Sequence, residues 1–154
     1  MFTVQFAANR RTVQGYGAAG FRIQDRAHYN RPMLTRLSIR DFAVVAHAEL
    51  TFAQGLTVIS GETGAGKSLL VDALGFLCGA RADAGAVRHG ASRAELEAEF
   101  QLHDCAPAAH WLRDAELDDT EPGGDPDHCR LRRTLRADGG SKAWINGRAA
   151  SLTQ

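Results

Sequence analysis

Apolar residues recur with period 2 along several stretches of this chain and with a helical period along one, and the changeovers mark its elements. In Leu34-Thr35-Arg36-Leu37-Ser38-Ile39 the apolar positions 37 and 39 start a strand that runs towards Phe42. Val44 to Phe52 alternates in part, with Ala48, Leu50 and Phe52 on one side and His47, Glu49 and Thr51 on the other. After a turn at Gln54-Gly55, Leu56-Thr57-Val58-Ile59 is a β-branched run of the kind buried on both faces. It ends in a glycine-rich loop. Leu70, Ala73, Leu74 and Leu77 then fall at i, i+3, i+4 and i+7, the apolar stripe of a helix, and Gly79 stands where a helix C-terminus favours glycine.

Residues 80–92 read as loop. From Arg93 to Leu102, Ala94, Leu96, Ala98 and Phe100 alternate with Arg93, Glu95, Glu97 and Glu99, a strand with one acidic face. Ala108 to Leu117 reads as a short helix, and residues 118–127 as an acidic, Pro/Gly-rich loop. A hairpin follows, with strands Cys129 to Ala137 and Lys142 to Ile145 around a turn at Asp138-Gly139-Gly140. Asn146-Gly147 turns the chain again, and Ser151 is placed to cap a further helix. On the first hairpin strand Arg130, Arg132 and Arg136 share a face with Thr134, opposite Cys129, Leu131 and Leu135. Two readings stay open: a basic face meeting DNA phosphates, or a solvated sheet edge kept from aggregating by its charge. Arg133 breaks the alternation by pointing inward, towards a buried partner such as Glu97 or Glu99. Trp144, on the opposite face from Ile145, reads as a core or lobe-interface residue.

Length and composition place one modest domain: 154 residues, 44% hydrophobic and 23% charged, with no apolar run near the ~18 residues of a membrane span. Eighteen basic and eighteen acidic side chains cancel, but the charge is zoned. Residues 1–40 hold seven Arg against one Asp, residues 41–128 five basic against sixteen acidic, and residues 129–154 six basic against one. The first 32 residues have no apolar period and no secretory apolar core, and read as a disordered extension. Their Arg-rich, acid-poor composition also suits a transit peptide, whereas Met33, just before the first patterned segment, favours the extension. Three cysteines (Cys78, Cys105, Cys129) share no CxxC spacing and read as reduced thiols. His103, Cys105, His110, His128 and Cys129 lie close in sequence, yet none of the usual zinc-ligand pairings occurs.

Gly61-Glu62-Thr63-Gly64-Ala65-Gly66-Lys67-Ser68 matches G-x-x-x-x-G-K-[ST] in full, between the predicted buried strand and the predicted helix. Glycines let successive backbone N–H groups turn inward as an anion nest, and the helix adds its positive dipole end at the same point. Lys67, one of two lysines in the chain, would reach the β- and γ-phosphates, and the Ser68 hydroxyl would ligate Mg²⁺. A chance match in a chain of this length is roughly one in a few hundred. The loop therefore predicts binding of a nucleoside triphosphate, ATP, with Mg²⁺. The guanine-reading Asn-Lys-x-Asp is absent from the sequence. The only apolar run ending in Asp, Leu69-Leu70-Val71-Asp72, lies on the helix after the loop, so Asp72 is not the Mg²⁺-holding Asp of a strand end. The chain carries half of an ATPase site.

Three segments together resemble the start of the RecN family of bacterial DNA-repair proteins, in the SMC-like branch of ABC-type ATPases: Met33 to Leu50, Thr57 to Leu77 and Arg133 to Gln154. The opening L-x-x-L-x-I-x-D-F and the closing S-x-A-W-I-N-G-R make the resemblance specific, and it covers essentially everything after the leader. It implies an α/β fold: the N-terminal lobe of an ABC/SMC-type P-loop ATPase head, a mixed sheet with a P-loop helix and a C-terminal β-hairpin, over residues 33–154. It further implies a coiled coil after that lobe and then a C-terminal lobe, in cis or in trans, bringing the Walker B strand, the catalytic Glu and the signature motif. Complete proteins of this kind dimerise around ATP and act on DNA in double-strand-break repair, in the cytoplasm at the nucleoid, with no membrane association. Arg81 and Arg88 resemble basic positions facing nucleotide or DNA in such heads, or are solvated loop arginines. A small self-contained P-loop phosphotransferase, or a gene fragment without function, are the competing readings.

Overall fold

The period-2 segments pair into one six-stranded sheet because each carries an apolar face that only a shared core can cover. The structure is a computed structural model describing residues 3–7, 33–53, 56–60, 67–81, 84–119 and 123–152, with the backbone alone described for 3–7 and 56–60. Its elements are β1 (Thr3–Ala7), β2 (Leu34–Phe42), β3 (Val45–Thr51), β4 (Leu56–Ser60), α1 (Lys67–Leu77), β5 (Arg93–Gln101), α2 (Ala106–Asp114), β6 (His128–Arg136), β7 (Ser141–Ile145) and β8 (Arg148–Ala150). The large sheet has the order β3-β2-β5-β6-β7-β8, and β1 pairs separately with β4. Every described ladder is antiparallel.

Register divides the sheet cleanly by face. One row runs Leu50–Leu37–Ala98–Leu131–Ile145, and the next on that face Ala48–Ile39–Leu96–Arg133–Ala143–Ala150. The intervening rows are polar: Glu49–Ser38–Glu97–Arg132–Trp144 and His47–Arg40–Glu95–Thr134–Lys142. Both helices lie on the apolar face. The stripe read from the sequence buries Leu70, Ala73 and Leu77, joined by Leu69, against Leu37, Ile39, Leu96 and Leu135. Ala73, Ala94 and Ala98 are fully buried, so small side chains occupy the middle of this packing. A satellite cluster sets Ala109 and Leu112 of α2 against Leu102, Leu117, Cys129 and Ile145. Removing a branched side chain from either cluster would cost ~2–5 kcal/mol.

Arg133 is the exception in the apolar rows. It is 1% exposed, yet no carboxylate meets it. The expected partners Glu97 and Glu99 are on β5 positions of the opposite sheet face, so the alternation that sends Arg133 inward also takes it away from them. Its Nη1 instead donates to the carbonyl oxygens of Phe76 and, at 2.6 Å, Ala80, while Nε donates to Ser141 Oγ at 2.9 Å. The guanidinium also lies over the Phe76 ring, 5.9 Å from its centroid. Both carbonyls stand at the C-terminal end of α1, where the helix dipole favours a cation. Burial pushes the guanidinium pKa down from its ordinary value, although arginine keeps its charge.

Gly79 ends the helix as its position predicts. Its φ is +95°, Ala80 N–H donates to Gly75 O at 2.9 Å, and Gly79 N–H donates to Phe76 O at 3.1 Å, the paired bonds of a Schellman stop. A second constraint was invisible in the sequence: a Cβ on Gly79 would lie 2.8 Å from the Leu152 carbonyl oxygen. The chain after β8 is therefore seated against the end of α1. Asn146 and Gly147, with φ of 47° and 80°, form the two-residue turn joining β7 to β8. The Asn146 side chain also donates to Leu117 O at 2.9 Å and accepts from Arg130 N–H at 2.7 Å, tying the turn to the segment after α2. The expected 108–117 helix is shifted to Ala106–Asp114, and β8 replaces bare turn before Ser151.

β1 lies inside the leader, where no period was readable because five residues, Thr3-Val4-Gln5-Phe6-Ala7, are too few to register one. The rest of residues 1–32, like the Gln54-Gly55 turn, lies outside the described residues.

The clamp on α1 yields two expected outcomes in denaturant unfolding. Arg133→Met removes the side-chain donor to Ala80 O and one of the two donors to Phe76 O, and should lose ~1–3 kcal/mol. Gly79→Ala should lose ~2 kcal/mol or more, from left-handed strain plus the approach to Leu152, whereas Gly139→Ala, with open space around it, should lose only the strain.

Candidate functional site

The helix α1 presents Lys67 and Ser68 at its first turn, directly after the sequence Gly61 to Gly66. Gly61, Glu62, Thr63, Gly64, Ala65 and Gly66 lie outside the described residues. The buried side chains Leu69, Leu70, Ala73 and Leu77 fix how the helix is rolled on the sheet, leaving Lys67 half-buried and Ser68 exposed. No acidic residue stands in that first turn. The positive end of a helix, a cation and a hydroxyl, with no carboxylate in that first turn, make a donor set that fits a nucleotide phosphate with its metal ion. Asp72, one turn further on, is exposed, in keeping with its exclusion as a strand-end metal ligand.

A strained turn lies at the end of β2. Asp41 and Ala43 both have φ of +50°, a conformation that costs an alanine ~1–2 kcal/mol, and Val44 beside them is 84% exposed. The loop after α1 holds the turn in place. Ala43 N–H donates to Ala86 O at 2.7 Å, Arg88 N–H to Asp41 O at 2.8 Å, and Arg88 Nε to Asp41 Oδ1 at 2.7 Å. Arg88 is thus engaged with Asp41, while Arg81 is exposed. Asp-Phe-Ala-Val contains no glycine, so nothing in the sequence signals this turn.

The His and Cys residues near α2 do not converge. His103 Nδ1 lies 2.8 Å from Asp127 Oδ2, His128 is 3.9 Å from Glu99, and Cys129 is in the core. No group of three or more potential metal ligands occurs among the described residues. Trp144, expected in the core or at an interface, lies on the polar sheet face, half-buried, with the Arg132 guanidinium 4.3 Å above its ring. The edge-protection reading of Arg130, Arg132 and Arg136 loses its premise, because β6 is an interior strand between β5 and β7.

A family profile described as an AAA domain matches residues 36–143, a span that takes in the phosphate loop, α1 and most of the hairpin. The chain belongs to the AAA domain family. Within that family its curated relatives include the "DNA repair protein RecN" of Xylella fastidiosa (strain 9a5c), 61% identical over 122 residues that make up 79% of this chain and 21% of the relative. RecN of Haemophilus influenzae is 48% identical over 122 residues, with the same coverage. The chain spans about a fifth of the length of these relatives. The resemblance to the N-terminal part of RecN, read above from three segments, therefore stands.

Solved structures agree on the fold of this AAA domain. A chain from work on "ATP-driven dimerization and DNA stimulated activation of SMC ATPases" superposes with a TM-score of 0.60 at 25% identity, covering 79% of this chain and 74% of that one. The SMC head domain from Thermotoga maritima gives 0.51 at 19% identity, over 78% of this chain and 39% of its own. RecF with ATP gives 0.57 at 14%, over 83% and 30%. At those last identities the likeness is one of fold. The chain has the fold of an ABC/SMC-type ATPase head lobe, strand-rich with few helices.

Thiol chemistry provides a check on the buried half of this geometry. Burial pushes the Cys129 thiol up to about 11, whereas Cys78 is exposed at the end of α1. The thiolate is the nucleophile, so Cys129 should stay unmodified by iodoacetamide at pH 8 in the folded chain and react only as the pH approaches its raised value. Mass mapping of alkylated peptides should find Cys78 labelled first; equal labelling of Cys129 at pH 8 would contradict the packing of α2 on β6.

Proposed function

We propose that this chain is the ATP-binding N-terminal lobe of a RecN-like protein acting in recombinational repair of DNA double-strand breaks. The observation that carries the reading is a complete phosphate-loop sequence, Gly61 to Ser68, running into an eleven-residue helix whose first turn offers Lys67 and Ser68 and no carboxylate. The backbone of Gly61 to Gly66 would wrap the phosphates, Lys67 would neutralise them, and Ser68 would hold Mg²⁺. Bound Mg²⁺ supplies charge neutralisation between the β- and γ-phosphates. The RecN relatives' names support the repair role, and the likeness to a chain from work on ATP-driven dimerization of SMC ATPases supports a lobe that works in an ATP-dependent head.

Hydrolysis would require the Walker B Asp, the catalytic Glu and the signature motif of a C-terminal lobe, joined in cis or supplied in trans. The complete protein would form a homodimer around ATP and engage DNA, in the cytoplasm at the nucleoid. No helix among the described residues is long and apolar enough to cross a membrane. A self-contained phosphotransferase would need an acceptor pocket and an Arg-rich lid; the segment carrying Asp118, Asp119, Asp125 and Asp127 offers neither.

ATP–Mg²⁺ at a hundredfold excess over its Kd should stabilise the chain by ~2.7 kcal/mol, a rise in melting temperature of ~5–10 °C for this size. Lys67→Ala should abolish the rise. An unchanged shift in that variant would contradict the assignment, and multiple-turnover hydrolysis by the 154-residue chain alone would contradict the need for a second lobe.

A further inference from the structure

Two strands of this chain stand apart from the large sheet. β4 (Leu56–Ser60) takes no part in the order β3-β2-β5-β6-β7-β8, and its one described ladder is with β1 (Thr3–Ala7). The two come from different parts of the sequence: β4 lies inside the span matched by the family profile, residues 36–143, and β1 lies outside it. β1 is thus a strand brought to β4 from beyond the matched domain. Thr3, Val4 and Phe6 favour extended backbone, and no glycine or proline interrupts the five residues.

The place of this ladder in the chain ties it to the phosphate loop. That loop is held between two elements, β4 up to Ser60 and α1 from Lys67 onward. α1 is packed on the large sheet through Leu69, Leu70, Ala73 and Leu77 and clamped at its end by Arg133. Among the described residues no strand of that sheet pairs with β4, so ladder support for the upstream end of the loop comes from β1. The register is antiparallel and unbroken over five pairs, with Ala7 opposite Leu56, Gln5 opposite Val58 and Thr3 opposite Ser60. The last pair is therefore made by the residue immediately before Gly61. An anion nest binds best when its N–H groups are already turned inward as the phosphate arrives; a fraying strand end would have to be ordered during binding, which weakens it. Along one edge of β4, backbone groups that would otherwise lie open are taken up by β1.

We propose that β1 is a positioning strand of the nucleotide site: residues 3–7 dock along one edge of β4, hold the strand end that launches Gly61, and so preorganise the phosphate loop. This role rests on the nucleotide site proposed above; the ladder does not. Docking of this kind is made by main-chain hydrogen bonds, so the edge of β4 accepts the same extended segment offered as a separate peptide.

The test uses the 154-residue chain carrying Val4→Pro/Gln5→Pro. Successive N–H groups of a strand point to opposite sides, so one of the two donors lost faces β4 whichever it is. Amide exchange without nucleotide should run roughly tenfold or more faster at Leu56–Ser60 in the variant, with β5 and β6 unchanged. ATP–Mg²⁺ should bind about tenfold more weakly, the cost of ordering about one further residue on binding. A synthetic peptide of residues 1–8, MFTVQFAA, added in excess should restore both the protection and the affinity. The same peptide with proline at positions 4 and 5 should restore neither. Unchanged β4 exchange in the variant overturns the ladder, and faster exchange with unaltered ATP affinity overturns the positioning role. If β5 and β6 also lose protection, the comparison passes to the single variants. Only one of Val4→Pro and Gln5→Pro, the one whose N–H faces β4, should then respond, and two silent variants overturn the proposal. A parent chain that binds ATP–Mg²⁺ no more tightly than the variant defeats this proposal alone; one that binds none defeats the nucleotide reading beneath it.

Discussion

Arg133 holds the helix that follows the phosphate loop to the sheet. A helix of eleven residues with one apolar stripe is marginal by itself and depends on packing for its place. Its N-terminal turn, which carries Lys67 and Ser68, is positioned only as well as its other end is fixed. The guanidinium supplies that fixed point by donating to the Phe76 and Ala80 carbonyls, and Ser141 braces it from the neighbouring strand. Gly79 completes the anchorage by letting the chain turn within reach of Leu152. Strand, helix end and hairpin are thus one unit, and what binds at the start of α1 rests on contacts made at its far end.

The same sheet keeps two kinds of chemistry apart. Its inner face holds both helices through rows such as Leu37–Ala98–Leu131 and Ile39–Leu96, where small residues let α1 lie close. Its outer face carries neither of the described helices, and there the acidic strand β5 lies between the basic strands β2 and β6. Glu95 pairs with Arg93 and Glu99 with Arg36, while Glu97 and Glu99 stand in register with Arg132 and Arg130 of β6.

Much of this was legible before any coordinates, for physical reasons that can be named. Period-2 runs at Leu37/Ile39 and Ala94/Leu96/Ala98 predicted buried strands because one face had to be covered, and the i, i+3, i+4, i+7 stripe predicted α1 for the same reason. The phosphate loop was readable because its glycines and lysine are dictated by an anion rather than by packing. Arg133 was recognised as inward-facing but given the wrong partner, since alternation reports a face and says nothing of a helix terminus arriving from 53 residues away in sequence. Of the two roles read for Trp144, core or lobe interface, its register with Arg132 on the polar face removes the core. The turn at Asp41 and Ala43 left no trace at all: its left-handed residues are held by tertiary hydrogen bonds from Ala86 and Arg88, not by local chemistry.

Amide hydrogen exchange with and without ATP–Mg²⁺ tests the central claim most directly, because it reads the phosphate site without requiring turnover. The account predicts slowed exchange confined to Gly61 through the first turn of α1, with the outer-face amides of β6 and β7 unchanged. Protection that skips this loop, or appears instead along α2, would contradict the assignment of the nucleotide site.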